Sequence, residues 1–306
     1  MADTTRAPVW TLIVPILALV VLGVKLAGVA HPVLNVVAGV VLIATVFAAV
    51  MIVCNGIVGL CLLSGGVRHH VQGFQLQGAL AALAVLAALT VLTLIVPNVT
   101  TSTAGPTLSP AQLVFAGIIS LVLYGGFVFV QTMRHRDFFL PPQTDDEEVH
   151  AAPPSGRSAL VSMGLLLVAL VAVVGLAKAL SQPMEELVAA AGAPRSFIAI
   201  LIAALVLLPE GLAAYRAARL NRLQTSMNLA LGSALASIGL TVPAVAAVSI
   251  LLGQPLVLGL GAKESVLLGL TLLTATITLG TGRTTVLQGI VHLSIFAGFL
   301  FYALVP

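Results

Sequence analysis

The sequence predicts an all-α, polytopic membrane helix bundle of about nine transmembrane helices, and three observations carry that expectation. Of its 306 residues, 59% are hydrophobic and 8% charged, and the mean hydropathy is +1.16. Soluble domains are roughly 45–50% apolar and about 25% charged, so one core could not enclose this much apolar surface, and the chain needs lipid as its solvent. Apolar runs of spanning length recur from one end of the chain to the other. The basic residues between those runs segregate when the connections are assigned alternately to two sides.

A spanning helix takes roughly 20 apolar residues. Such runs fall at Val9–Val29, Val33–Leu63, Leu76–Val96, Ala111–Thr132, Ala159–Leu180, Phe197–Ala217, Met227–Leu252, Ser265–Gly280 and Val286–Val305. The first follows Asp3 and Arg6, and Gly28-Val29-Ala30 behind it has the small residues of a signal-peptidase site. The succession of similar runs makes it a retained first helix instead. The second run is too long, since at 1.5 Å per residue it would measure about 46 Å against a hydrocarbon core of ~30 Å. It tilts steeply, breaks near Asn55-Gly56, or is a composite of two segments. Cys54 and Cys61 lie within it, two turns apart on roughly one face, and read as apolar fillers rather than a disulfide.

His135–Arg157 is the one long polar stretch, with Pro141-Pro142, then Asp145-Asp146-Glu147-Glu148, then Pro153-Pro154. Paired prolines around a charge run make a linker. It divides the chain into an N-terminal membrane half (1–133, four helices), an acidic linker (134–157) and a C-terminal membrane half (158–306, five helices). The acidic run with His150 reads as solvated linker, with weak regulatory Ca²⁺ binding as the alternative. With the N-terminus cytoplasmic, the cytoplasmic side holds Arg6, Arg68, Arg134, Arg136, Arg157, Arg216, Arg219, Arg222 and Arg283, and the other side holds Lys25, Lys178, Arg195 and Lys263. That asymmetry supports nine crossings in the cell inner (plasma) membrane with the N-terminus and the linker cytoplasmic.

Other functional classes lack their residues. Thirteen dispersed basic residues and a net charge of +3 leave no nucleic-acid footprint. There is no Walker loop, metalloprotease helix, nucleophile elbow or cofactor motif, and no dyad facing the membrane carboxylate that an embedded enzyme would need.

That carboxylate is Glu210, in Leu207-Leu208-Pro209-Glu210-Gly211. Ionisable groups inside membrane spans are costly and by default functional. Pro209 removes a backbone donor and is expected to break the helix, freeing the Leu205 carbonyl, so that carboxylate and carbonyl together outline a cation site. The bland alternative places Glu210 at the interface, pairing with Arg216 or Arg219, but these lie beyond its helical neighbours. The next run, Ser226 to Pro243, is rich in small and hydroxyl residues and carries Asn228 and Ser233, suited to close helix packing around a polar cavity.

Pro209-Glu210-Gly211, Met227-Asn228-Leu229, Gly232-Ser233-Ala234 and Leu240-Thr241-Val242-Pro243 together resemble the second α-repeat of the bacterial calcium/proton (sodium-potassium/proton) antiporters of the Ca²⁺:cation antiporter superfamily. Gly280 to Gly289 with His292-Leu293, and Met51 to Leu63, are similar to other parts of that family. The resemblance implies a degenerate inverted α-repeat cation exchanger, with Glu210, Asn228, Ser233 and Asn55 binding cation and proton, and Glu210 as the metal ligand. The transported partners would be Ca²⁺, Na⁺ or K⁺, and H⁺, with no cofactor and with oligomerisation left open. The family carries a second membrane glutamate in its first repeat. Here the only acid before Asp137 is Asp3, and the over-long second run marks a seam near Ile43-Ala44-Thr45 where two crossings and that glutamate are missing. The resemblance therefore implies cation/proton antiport impaired by an internal deletion, with a transport-inactive relic or assembly subunit as the alternative.

The remaining polar residues of the spans read as structural. His292 is expected to pack or to bond a backbone carbonyl, and Thr271, Thr274 and Thr278, on one helical face, to bond back to their own helix. His69-His70 beside Arg68 reads as a solvated cluster.

Overall fold

Long apolar runs with few helix breakers form seven helices of membrane-spanning length among the described residues. The computed structural model describes residues 43–103, 105–140, 196–252 and 256–305, with isolated positions between 157 and 194. The helices are α1 (Ile43–His69), α2 (Leu76–Asn98), α3 (Pro110–Arg134), α4 (Phe197–Arg219), α5 (Leu223–Leu251), α6 (Ala262–Leu279) and α7 (Val286–Leu304). Seven of the nine expected spans are thus found. The first, Val9–Val29, and the fifth, Ala159–Leu180, lie outside the described residues, as do the acidic linker run and the proposed signal-peptidase alternative.

Local signals set the helix ends. α3 begins with a capping box, in which Gln112 Oε1 accepts from the Ser109 N–H at 2.9 Å and Pro110 occupies the first turn. At the start of α7, Gln288 Oε1 accepts from the Thr285 N–H. α4 and α5 form a tight antiparallel pair whose turn uses Asn221 at φ 63°, a left-handed conformation that asparagine tolerates.

The loops meet at two ends. At one end, β1 (Gln72–Gly73, between α1 and α2) pairs antiparallel with β2 (Arg283–Thr284, between α6 and α7) in the register Gln72↔Thr284. Gln72 Nε2 donates to the Ala218 carbonyl and to Asn221 Oδ1, and His69 Nε2 lies 3.0 Å from the Arg219 carbonyl. His69 therefore ties α1 to the C-terminus of α4, which corrects its reading as a purely solvated residue. The exit of α3 reaches the same end, where the Phe138 carbonyl lies over Gly78. At the other end Thr107 bridges Val257, and Asn98 Nδ2 donates to the Leu260 carbonyl at 2.6 Å. Arg68, Arg134, Arg136, Arg216, Arg219, Arg222 and Arg283 thus gather at one end and Lys263 sits at the other, the partition expected from the loops.

α5 is the central strut, packing on α1, α2, α3 and α4, with Tyr124 of α3 seated on Gly239. α1 is the most enclosed helix, with Val50, Met51, Val53, Asn55 and Cys61 all inaccessible. From Ile43 to His69 it runs without a break, and residues 33–42 of the over-long run lie outside the described residues. Ile52–Ile57 is a π-helical turn inside one continuous helix, at the Asn55-Gly56 position where a break was expected. Cys54 and Cys61 are free and buried, as apolar fillers should be.

Candidate functional site

Glu210 sits nine residues before Arg219 at the end of α4, about 14 Å of helix rise from the basic end. That is near the middle of α4, which runs from Phe197 to Arg219. Among the seven described spanning helices it is the carboxylate at that depth. Asp137 lies beyond α3 at the basic end, and Glu264 lies in the first turn of α6 at the far end, beside Lys263 at 3.6 Å.

The helix around Glu210 differs from expectation. α4 runs continuously through Pro209, and α5 likewise through Pro243, so the expected broken helix is replaced by a proline inside an unbroken one. A proline can be carried this way in a membrane helix when neighbouring helices hold its backbone in place. Gly211 supplies that neighbour: a Cβ there would meet Ile57 Cδ1 at 3.1 Å, so α4 lies against the π-helical turn of α1. The Glu210 side chain itself is exposed, with Leu205, Val206, Leu208 and Leu212 exposed around it.

The other residues singled out from the sequence do not converge on Glu210. Ser233, half-buried, is ten residues into α5 and so at the depth of Glu210. Asn228 is one to two turns nearer the basic end, where its Nδ2 donates to the Phe139 carbonyl at 2.6 Å and its Oδ1 accepts from Gln224 Nε2 at 3.0 Å. On a continuous helix Asn228 and Ser233 project roughly 140° apart. Asn55 faces α6 and α7: its Nδ2 donates to Thr271 Oγ1 at 2.9 Å, and its Oδ1 lies 3.2 Å from His292 Nδ1.

That contact belongs to a buried polar cluster drawn from three helices. His292 Nε2 lies 3.1 Å from Thr278 Oγ1, and Thr271 Oγ1 donates to the Leu267 carbonyl at 2.8 Å. Asn55, Thr271 and His292 are wholly inaccessible, and Thr278 is 3% exposed. Unpaired polar groups in this setting would cost several kcal/mol each, at the upper end of roughly 2–7 kcal/mol, and the cluster avoids that by mutual hydrogen bonding. The assignments agree with one another. Asn55 Oδ1 can only accept, so His292 Nδ1 carries the proton and donates, and neutral Nε2 accepts from the Thr278 hydroxyl. Thr271 bonds back to its helix as expected and also receives Asn55.

Thr271 and His292 read as structural because their partner in α1, Asn55, is 216 and 237 residues away in sequence, and Thr278 joins the cluster only through His292. The available signal was the isolation of a histidine well inside an apolar run, with two threonines one heptad apart in the preceding helix.

A bundle of helices of spanning length, with a carboxylate near the middle of one of them and a polar cluster sealed in its interior, is that of a multi-pass membrane protein. Comparison gives the family: a model of the sodium/calcium exchanger protein family matches residues 24–133 and 161–305, and the chain belongs to that family, within the Ca²⁺:cation antiporter superfamily. It is 51% identical over 266 residues to the y4hA protein of Sinorhizobium fredii, named as an ionic transporter, covering 86% of this chain and 71% of that one. It is 35% identical over 259 residues to the sodium-potassium/proton antiporter ChaA of Escherichia coli, covering 84% and 70%. Among solved structures, native YfkE superposes with a TM-score of 0.64 at 17% identity, covering 96% of this chain and 80% of that one. The H⁺/Ca²⁺ exchanger CAX gives 0.60 at 17% identity, covering 85% and 64%, and the sodium-calcium exchanger NCX_Mj gives 0.56 at 15%, covering 87% and 78%. At such identities these structures establish a shared fold.

Proposed function

We propose that this chain is a secondary cation/proton antiporter in which Glu210 alone carries the transported cation and proton. The observation that carries the reading is the mid-depth position of Glu210 on α4, packed through Gly211 against the π-helical turn of α1. One carboxylate can hold a proton or a cation but not both, so a cation must displace the proton to bind. If the empty, ionised site cannot reorient, proton and cation move in opposite directions without covalent chemistry.

The charge arithmetic favours monovalent ions. Ca²⁺ takes about six to eight oxygens and usually more than one carboxylate. Bound at Glu210 alone it would leave about one uncompensated positive charge inside the membrane, at a cost of several kcal/mol. The sequence has no acid between Asp3 and Asp137, so no second carboxylate is available from the first half. The sodium-potassium/proton relative supports Na⁺ or K⁺ as the exchanged ion. Ser233, level with Glu210 on the neighbouring helix, is the proposed oxygen donor, while the amides of Asn228 and Asn55 are taken up by Gln224 and the Phe139 carbonyl and by Thr271 and His292.

A second reading has its own observation. Glu210 and the apolar residues around it are exposed, which is what α4 would present if a helix pair and its glutamate had been lost from the first half, with the seam near Ile43-Ala44-Thr45. On that reading the chain is a transport-inactive relic or assembly subunit, and a second copy or lipid covers the face. Reconstituted protein under an imposed pH gradient separates the two. Cation flux that disappears in Glu210→Gln supports the antiporter, no flux in either protein supports the relic, and full flux in the variant places the ion site elsewhere.

By the positive-inside rule the basic end is cytoplasmic, which puts the linker and the N-terminus on that side of the plasma membrane. α3 ends at the basic end and α4 starts at the other, which supports Ala159–Leu180 as an eighth crossing, and the apolar run Val9–Val29 is the proposed ninth.

A further inference from the structure

Where the far ends of α1, α4, α6 and α7 meet, they leave a cavity of about 310 Å³ between them. That is at the lower end of the roughly 300–1,000 Å³ of ligand sites. Its walls come from Ile43 and Phe47 of α1, Ile200 of α4, Leu267 of α6 and Phe299 of α7. The Phe47 and Phe299 rings, both buried, meet edge to face at 5.6 Å about one turn in from the far end. These side chains are all hydrocarbon. A buried water needs about two to four polar partners and would find few among them. An alkyl chain meets such walls with the carbon–carbon contacts that dispersion rewards.

The charged groups of the cavity stand together at its mouth. Lys263 and Glu264 lie in the first turn of α6, and Tyr302 lies in the last turn of α7. Lys263 Nζ donates to the Tyr302 carbonyl at 2.8 Å and lies 3.6 Å from Glu264 Oε1. An ammonium has three N–H donors, so these two oxygens leave it one for a further acceptor. Glycine at 261 leaves room for the Glu264 carboxylate, which folds back over the start of α6. Lys263 and Tyr302 are exposed and Glu264 is half-buried. Lysine and tyrosine at the ends of spanning helices sit at the level of the lipid headgroups. The site therefore runs from hydrocarbon inside to one positive and one negative group at headgroup level.

A phospholipid carries its groups in that order, and the charge pair selects among headgroups. A phosphate oxygen suits Lys263, and a primary ammonium can donate to Glu264 in a charge-assisted hydrogen bond. A quaternary ammonium has no N–H to give that carboxylate, and a purely anionic headgroup would meet it with like charge. We propose that this cavity binds one phospholipid with a primary-ammonium headgroup, its acyl chain against Phe47 and Phe299, its phosphate on Lys263 and its ammonium on Glu264. The binding requires no ion flux, so it stands apart from the antiport reading, and a chain that transports nothing still tests it.

The test uses purified full-length protein in detergent and a phosphatidylethanolamine with a diazirine in one acyl chain. After irradiation, labelled peptides are mapped by mass spectrometry. Label is expected on residues 43–48 and 299–303. Excess unlabelled phosphatidylethanolamine is expected to lower that label at least about fivefold more than phosphatidylcholine or phosphatidylglycerol does. Ala303→Phe, which fills the cavity, is expected to remove it while leaving label on the exposed face of α6 at Leu273 and Ile277. Label absent from both segments in the wild type would mean that another part of the chain, or a second copy, occupies the space, and it overturns the proposal. Equal competition by the three lipids overturns it too, as does label that survives Ala303→Phe. Should that variant fail to fold, Glu264→Gln at the mouth replaces it. Phosphatidylethanolamine should then compete no better than phosphatidylcholine, and an undiminished preference overturns the proposal.

Discussion

Gly289 of α7 lies directly on the backbone of α1: a Cβ at that position would stand 2.5 Å from the Leu63 amide nitrogen and 3.0 Å from the Gly59 carbonyl oxygen. The contact is backbone to backbone, so no side chain can swing away to make room. Gly66 of α1 likewise lies against backbone at the start of α7, at Val286 N and Thr285 C, and Gly59 lies against the His292 and Leu293 side chains.

Substitution at this crossing should therefore act through sterics alone. Gly289→Ala is expected to destabilise the protein by about 1–3 kcal/mol, the usual cost of overpacking a close-packed interior. Thermal unfolding of the purified protein in detergent checks it. An unchanged midpoint would mean that α1 and α7 are further apart than described here.

Asn55→Leu keeps the volume of the side chain while removing both hydrogen bonds. It removes the Asn55 acceptor facing His292 Nδ1 and leaves the ring its Cys54 backbone partner, a loss of about 0.5–1.5 kcal/mol. The double variant Asn55→Leu/Thr271→Val should cost less than the sum of the single changes, because the two residues share one hydrogen bond. Strict additivity in a double-mutant cycle would show that they do not interact.

The two-ended topology makes a labelling prediction. Arg136 and Thr101 are exposed, on connections at opposite ends of α3. In a background with Cys54 and Cys61 replaced by alanine, an impermeant thiol reagent added to intact cells should label Thr101→Cys and spare Arg136→Cys. The reverse pattern would invert the orientation, and labelling of both would break the topology.

The overall architecture could be read from the sequence because lipid imposes it. Run length fixes the helices, and loop charge fixes which ends lie together, as the gathering of Arg68, Arg219 and Arg283 around the β1–β2 pair bears out. Even the irregularity at Asn55-Gly56 was marked by an over-long run. Its form was not, because a π-helical turn and a break both shorten a helix, and only the packing of α7 against Gly56 and Gly59 decides between them. The direction of the Asn55 side chain was equally hidden, since it depends on how one inserted residue rotates the turn. Pro209 was over-read: proline removes one hydrogen bond, but α1 and α5 pack along α4 and keep it helical. Glu210 was found because a carboxylate in an apolar run is conspicuous by cost, whereas His292 and Thr278 are affordable enough to pass as packing.

The central claim is that one mid-depth carboxylate serves the ion. Purified protein in liposomes, with a pH gradient imposed and Ca²⁺ and Na⁺ uptake recorded side by side, tests it most directly. The account predicts weak, proton-driven Na⁺ or K⁺ exchange and little Ca²⁺ uptake, because Glu210 neutralises only one charge. Robust, saturable Ca²⁺ uptake would contradict it, showing that one glutamate suffices for a divalent ion or that a second copy of the chain supplies the other.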